Sequence, residues 1–171
     1  MAQVYLWLVA GVMLSSIPAC SLGEDGRWTH KTDNWKILDL LRQLERIPPQ
    51  LCLNDRIDFQ CPWQRGNVTQ MQKPQRTCVQ HVVLQQIFSL FLSTDSHAVW
   101  NQTVLGQLLS SLASSLVRMQ LAEEENLACP DWGNRVRKYF QGIHNYLKGK
   151  KYSSCAWEVV RVEIQVHLVL L

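Results

Sequence analysis

The side chains of this 171-residue sequence that could do chemistry are six cysteines, five histidines and a run of three glutamates. His30, His81, His97, His144 and His167 fall into no zinc-type spacing such as H-E-x-x-H, and there is no C-x-x-C pair. G-x-S-x-G and a glycine-rich phosphate loop are also missing. Glu123-Glu124-Glu125 has no paired group in reach and reads as a solvated helix end. These patterns predict no catalytic residue, no metal and no cofactor. The basic group Arg135, Arg137, Lys138, Lys148, Lys150 and Lys151 fits a solvated face or a site for an anion or a protein. Tyr139 and Phe140 between them fall on an apolar stripe, as core rather than base-stacking platforms. A net charge of +3 is too mild to argue for nucleic acid.

Cys20, Cys52, Cys61, Cys78, Cys129 and Cys155 are the stronger signal, because the chain opens with an export pattern. Val4 to Leu14 is an apolar run, broken by Ser15, Ser16 and Pro18 and followed by small residues. It falls short of the ~20 residues of a spanning helix and reads as a secretory signal peptide over residues 1–23, with the cut anywhere from 19 to 23. Export permits disulfides. Spacing alone does not choose among the roughly 15 pairings of six cysteines. Two sequons, at Asn67 and Asn101, fit the same secreted reading. A mature chain of about 150 residues, from residue 24 to 171, buries roughly 68–70% of its unfolded surface as one domain.

The elements that must position these groups are helices. Apolar residues at Ile37, Leu38, Leu41, Leu44 and Ile47 predict a first helix from Trp35, capped by Asp33 or Asn34 and stopped by Pro48-Pro49. A polar stretch from Gln50 to Thr77 comes next, a loop long enough to be functional or pinned. Further helices are predicted over 78–92, 98–124 and 134–148, the last stopped at Gly149. Residues 154–171 alternate like a strand at Val162, Ile164, Val166, Leu168 and Leu170, yet Trp157, Val160 and Ile164 also fit a helix. Four or five amphipathic helices with two long connections predict an all-α, up-up-down-down cytokine-type bundle.

Cys155-Ala156-Trp157-Glu158-Val159-Val160-Arg161, with Glu163-Ile164, resembles the last-helix signature of the type I interferons. Val136 to Gln141 (VRKYFQ) resembles the helix before it, and Cys52-Leu53-x-Asp55-Arg56-x-Asp58-Phe59 the first long loop. Trp100-Asn101-Gln102-Thr103 is similar to the glycosylated W-N-x-T of interferon beta. The short mature chain and extra cysteines are most similar to the short trophoblast type, interferon delta. The resemblance implies a disulfide-stapled bundle of five helices with no enzymatic activity, and it makes the last segment a helix. It implies a Cys52–Cys155 disulfide, whereas the family's second disulfide does not transfer cleanly; by parity, Cys20–Cys129 and Cys61–Cys78 would pair if cleavage leaves Cys20 in place, and one thiol would stay unpaired if it does not.

The resemblance also implies a function: a secreted monomer, bound to neither membrane nor nucleic acid, that bridges the two chains of the type I interferon receptor and triggers Janus-kinase signalling. One receptor chain would meet Leu53, Asp55, Arg56, Asp58 and Arg161, and the other Gln85, Arg137, Lys138 and Gln141. The valines at 162, 166 and 169 and Ile57 depart from the polar residues common in the family. They keep open a binder of the same fold without full signalling. A small secreted enzyme is the third alternative, without a recognisable constellation.

Overall fold

The computed structural model describes residues 27–63, 70–123 and 127–171. The expected signal peptide, Cys20 and Asn67 lie outside them. The described residues form α1 (Arg27–Gln43), a short 3-10 segment η1 (Pro49–Asp55), α2 (Lys73–Leu92), a one-turn α3 (Thr94–His97), α4 (Gln102–Glu123), α5 (Pro130–Gly149) and α6 (Ser154–Leu168). They include no strand.

Helix starts differ from those expected, and prolines explain two of them. Pro74 and Pro130 sit in the first turns of α2 and α5, where a missing N–H costs nothing because that donor has no helical partner. Both helices therefore start several residues before the expected points. α1 also starts earlier than expected. Asp33 lies inside it, and its carboxylate pairs with Arg118 of α4 at 2.5 Å. The chain also breaks between 98 and 101 rather than running straight on: Asn101 Oδ1 accepts from the backbone N–H groups of Thr103 (3.0 Å) and Val104 (3.1 Å) and caps α4. After α5 the left-handed turn is made by Lys151 and Tyr152 (φ 52° and 53°), not by Gly149.

The last segment is a helix. Ser153 caps it by accepting from the Ala156 N–H at 3.2 Å, and Trp157, Val160, Ile164 and Leu168 are buried along one side. The apparent alternation fails because Val166, midway through it, is exposed.

The ends of α1 and α2 meet at one end of the bundle. There Arg46 donates to the Val99 carbonyl, and the Phe91 ring lies 6.4 Å from Trp100 and 6.2 Å from Trp157. α4 leaves that corner and returns along α1, and α6 starts there and descends beside it. α5 starts next to the beginning of α2 and packs on α2 and α6. The order is therefore up-up-down-down for α1, α2, α4 and α6, with α5 as a fifth helix outside that set.

Candidate functional site

The loop expected to be polar is pinned at both ends. Cys52 and Cys155 form the disulfide that the family resemblance implies, with Cα atoms 5.2 Å apart, and it fastens η1 to the first turn of α6. Further on, Trp63 is buried and stacks edge-on against Tyr139 of α5 at 5.1 Å, while its indole N–H donates to the His167 carbonyl at 3.4 Å. Between those anchors the backbone carbonyl of Asp55 accepts from the Tyr146 hydroxyl at 2.7 Å, and the Asp55 carboxylate pairs with Lys150 at 2.9 Å. Burial, aided by that carboxylate, pushes the Tyr146 hydroxyl up to about 12. Asp58 accepts from the Gln60 N–H at 2.8 Å, which supports Gln60 in its left-handed conformation (φ 54°).

The pinned loop leaves large apolar side chains exposed beside its polar ones. Leu53 and Ile57 are about half exposed, and with Val159, Val162 and Val166 of α6 they border a groove of about 310 Å³. Arg56 lies at the same groove, and no ion pair among the described residues engages its guanidinium. Leu53 and Arg56 thus lie at one groove, while Asp55 spends its polar groups on Tyr146 and Lys150 and Asp58 on the loop backbone. Sequence reasoning missed Ile57, Val162 and Val166 as parts of one surface. The available signal was their apolar type in positions expected to be polar.

Arg161 requires a correction. Its side chain is 2% exposed, so it cannot present a surface to a receptor. The guanidinium donates to both oxygens of buried Glu158, at 2.9 and 2.5 Å, and to the Leu41 carbonyl at 2.9 Å. It also reaches Gln165 (3.0 Å) and Glu45 (3.4 Å). Arg161 therefore ties α6 to the end of α1. Its place one turn after Trp157 and seven residues before Leu168 puts it on the buried stripe, and that spacing carried the signal.

The second predicted set is exposed on two helices that pack together: Gln85 on α2, and Arg137, Lys138 and Gln141 on α5. Arg137 donates to Asn134 Oδ1 at 3.2 Å and lies over Gly133, while Gln141 donates to Asn145 at 3.1 Å.

The remaining cysteines are also corrected. Cys78 bonds to Cys129, with Cα atoms 6.0 Å apart, so neither Cys20–Cys129 nor Cys61–Cys78 forms. The early start of α2 sets Cys78 within its second turn, beside the entry to α5. Cys61 is a free buried thiol pointing to the Trp63 carbonyl at 3.7 Å. Nearby, Glu163 accepts from the Tyr139 hydroxyl at 2.6 Å and pairs with His167 Nε2 at 3.0 Å. Burial raises the Tyr139 hydroxyl well above its usual range, with the Glu163 contact adding to the effect. Burial acts to lower His167, but its hydrogen bonds to Cys61 and Glu163 outweigh that and push it up to about 10. A thiol, an imidazole and a carboxylate meet here as a clasp beneath Trp63, with Cys61 only 8% exposed. Among the described residues no group of His, Cys, Asp and Glu could hold a metal ion, and no helix is long and apolar enough to cross a membrane.

Comparison with known proteins agrees with this geometry. A family model, the interferon alpha/beta domain, matches residues 27–171. Interferon omega-1 of Homo sapiens is 44% identical, over 99% of this chain and 91% of its own length. Interferon alpha-2 of Equus caballus is 42% identical, over 96% and 93%. The solved structure of zebrafish interferon 2 superposes with a TM-score of 0.65 at 21% identity, over 81% of this chain and 94% of that one, and shares the fold. With a pinned-loop helical bundle and relatives matched over nearly their whole length, the chain belongs to the interferon alpha/beta family, whose members are cytokines and not enzymes.

Proposed function

We propose that this interferon is a secreted monomer that joins the two chains of the type I interferon receptor and so triggers antiviral, antiproliferative signalling through Janus kinases. In this reading residues 1–23 are removed on export, and glycans attach at Asn67 and Asn101. The supporting observation is the groove between η1 and α6. A disulfide holds the loop against the last helix, so Leu53, Arg56 and Ile57 are presented in a fixed arrangement before any partner arrives. Preformed surfaces bind without the cost of ordering a loop. Leu53 acts as the apolar anchor, Arg56 as the charge-assisted donor, and Asp55 and Asp58 as the residues that shape the loop. Arg161 contributes as a positioning residue beneath that surface. Gln85, Arg137, Lys138 and Gln141 meet the other receptor chain, and neither cofactor nor nucleic acid takes part.

A reporter of interferon-stimulated transcription, run in cells with and without each receptor chain, tests this reading. Signalling that requires both chains is expected, and signalling that persists without them would overturn it. A second reading is a binder without full signalling, favoured by the exposed valines at 166 and 169. That reading predicts binding to one chain and no reporter response.

A further inference from the structure

The charge of this chain is not spread evenly. Residues 130–151, which are α5 and the turn after it, hold six cationic side chains and one carboxylate, a balance of +5 against +3 for the whole chain. The remainder is therefore net negative. All six cations are exposed. Among the described residues only Lys150 has an acidic partner, Asp55. Arg135 lies over the Trp132 ring at 5.2 Å and Arg137 donates to Asn134, so both guanidinium groups are held in place without being neutralised.

The flanking helices do not neutralise this side either. α2 contains no Asp or Glu and adds exposed Lys73 at the end where α5 begins. On α6, Glu158 is buried against Arg161, and Glu163 is engaged by Tyr139 and His167. Such segregation of one sign on one side produces a field that collects polyanions.

We infer that the exposed side of α5 binds the sulfated polysaccharide chains of the extracellular surface. Neutral donors between the cations, Asn134, Gln141 and Asn145, are exposed and suit a ligand with both sulfates and hydroxyls. Other polyanions fit less well. The aromatic side chains Tyr139, Phe140 and Tyr146 are buried, and half-buried Trp132 is covered by Arg135, so α5 presents no row of open rings for base stacking. No large apolar side chain of α5 is among the exposed ones, so this side lacks the anchors of a membrane-surface helix.

The test is binding of the secreted, disulfide-bonded protein to immobilised heparan sulfate, at physiological salt. Three proteins are compared: wild type, the double variant Arg135→Gln/Lys148→Gln, and the charge-matched Lys36→Gln/Arg42→Gln on α1. Arg137 and Lys138 are left intact because the receptor reading uses them. The expected result is wild-type binding that vanishes on chemically desulfated chains, a loss of roughly tenfold in the α5 pair, and little change in the α1 pair. Equal losses in both pairs would mean that only overall charge matters and would overturn the site. So would no binding by wild type, or equal binding to vesicles of phosphatidylserine and phosphatidylcholine. Receptor binding is read separately, so failure here leaves the receptor reading standing, and the reverse also holds.

Discussion

The η1–α6 surface and the exposed side of α5 sit on neighbouring helices and are built on opposite plans. Around η1 nearly every charge is consumed internally: Asp55 by Lys150, Asp58 by the loop backbone, Arg161 by Glu158. What lines the groove outside includes Leu53, Ile57, Val162 and Val166, with Arg56 as its cation. Along α5 the apolar and aromatic side chains are consumed internally, and the charges remain outside. The first surface gains affinity from shape and desolvation, which require a rigid frame. The second works through its field, which tolerates a looser one. The Cys52–Cys155 disulfide, the buried ion pair and the aromatic clasp lie on the first surface or beneath it, while α5 is fastened at its start by Cys78–Cys129.

The strongest way to break the comparison is to remove the frame. Cys52→Ser/Cys155→Ser opens a loop with a sequence separation of 103 residues. On chain-entropy grounds the loss is about 4–5 kcal/mol. Denaturant unfolding would show it, together with weakened binding at Leu53 and unchanged behaviour at α5. A loss under about 1 kcal/mol would mean that the loop is held by other contacts.

Next comes Arg161→Ala, which leaves Glu158 buried and unpaired at a cost of about 3–5 kcal/mol. The double change Arg161→Met/Glu158→Gln should recover most of that in thermal unfolding. Loss of receptor affinity at full stability would instead restore Arg161 as a direct contact.

The aromatic clasp is read by pH. His167 has a folded-state pKa of about 10, above its ordinary 6.5. The stability it contributes is complete below 6.5 and is lost as pH rises through 10. His167→Gln should flatten the alkaline limb of the unfolding curve. His81 and His144 have the opposite sign, since burial lowers both. Their contribution falls away as pH drops below 6.5.

The smallest effect separates a cap from a glycan. Asn101→Gln removes both the sequon and the α4 cap and should cost about 1 kcal/mol in the deglycosylated protein. Thr103→Ala removes only the sequon, because the capping donors are backbone groups, and should leave that stability unchanged.

Most of the bundle was legible in the sequence because it rests on local rules. Ile37, Leu41 and Leu44, or Val136, Tyr139 and Ile143, mark their helices by period alone. The starts of α2 and α5 were placed too late because a proline such as Pro74 or Pro130 stops a helix or starts one, depending on the residues on its C-terminal side. Two features were harder to read. Arg161 is placed on the buried stripe by its spacing, but its cationic type reads as surface until Glu158 and the Leu41 carbonyl close around it, and Trp63 looks like part of a polar loop until distant Tyr139 lies beneath it. The cysteine pairing was half legible. Cys52 and Cys155 match the family pattern, whereas Cys78–Cys129 depends on where α2 begins.

The most direct test of the preformed groove is affinity for each isolated receptor chain, measured with wild type and with Leu53→Ala/Arg56→Ala. Loss of at least about 2 kcal/mol for one chain, with affinity for the other chain and thermal stability unchanged, is the predicted result. Unchanged affinity for both chains in a correctly folded variant would contradict it.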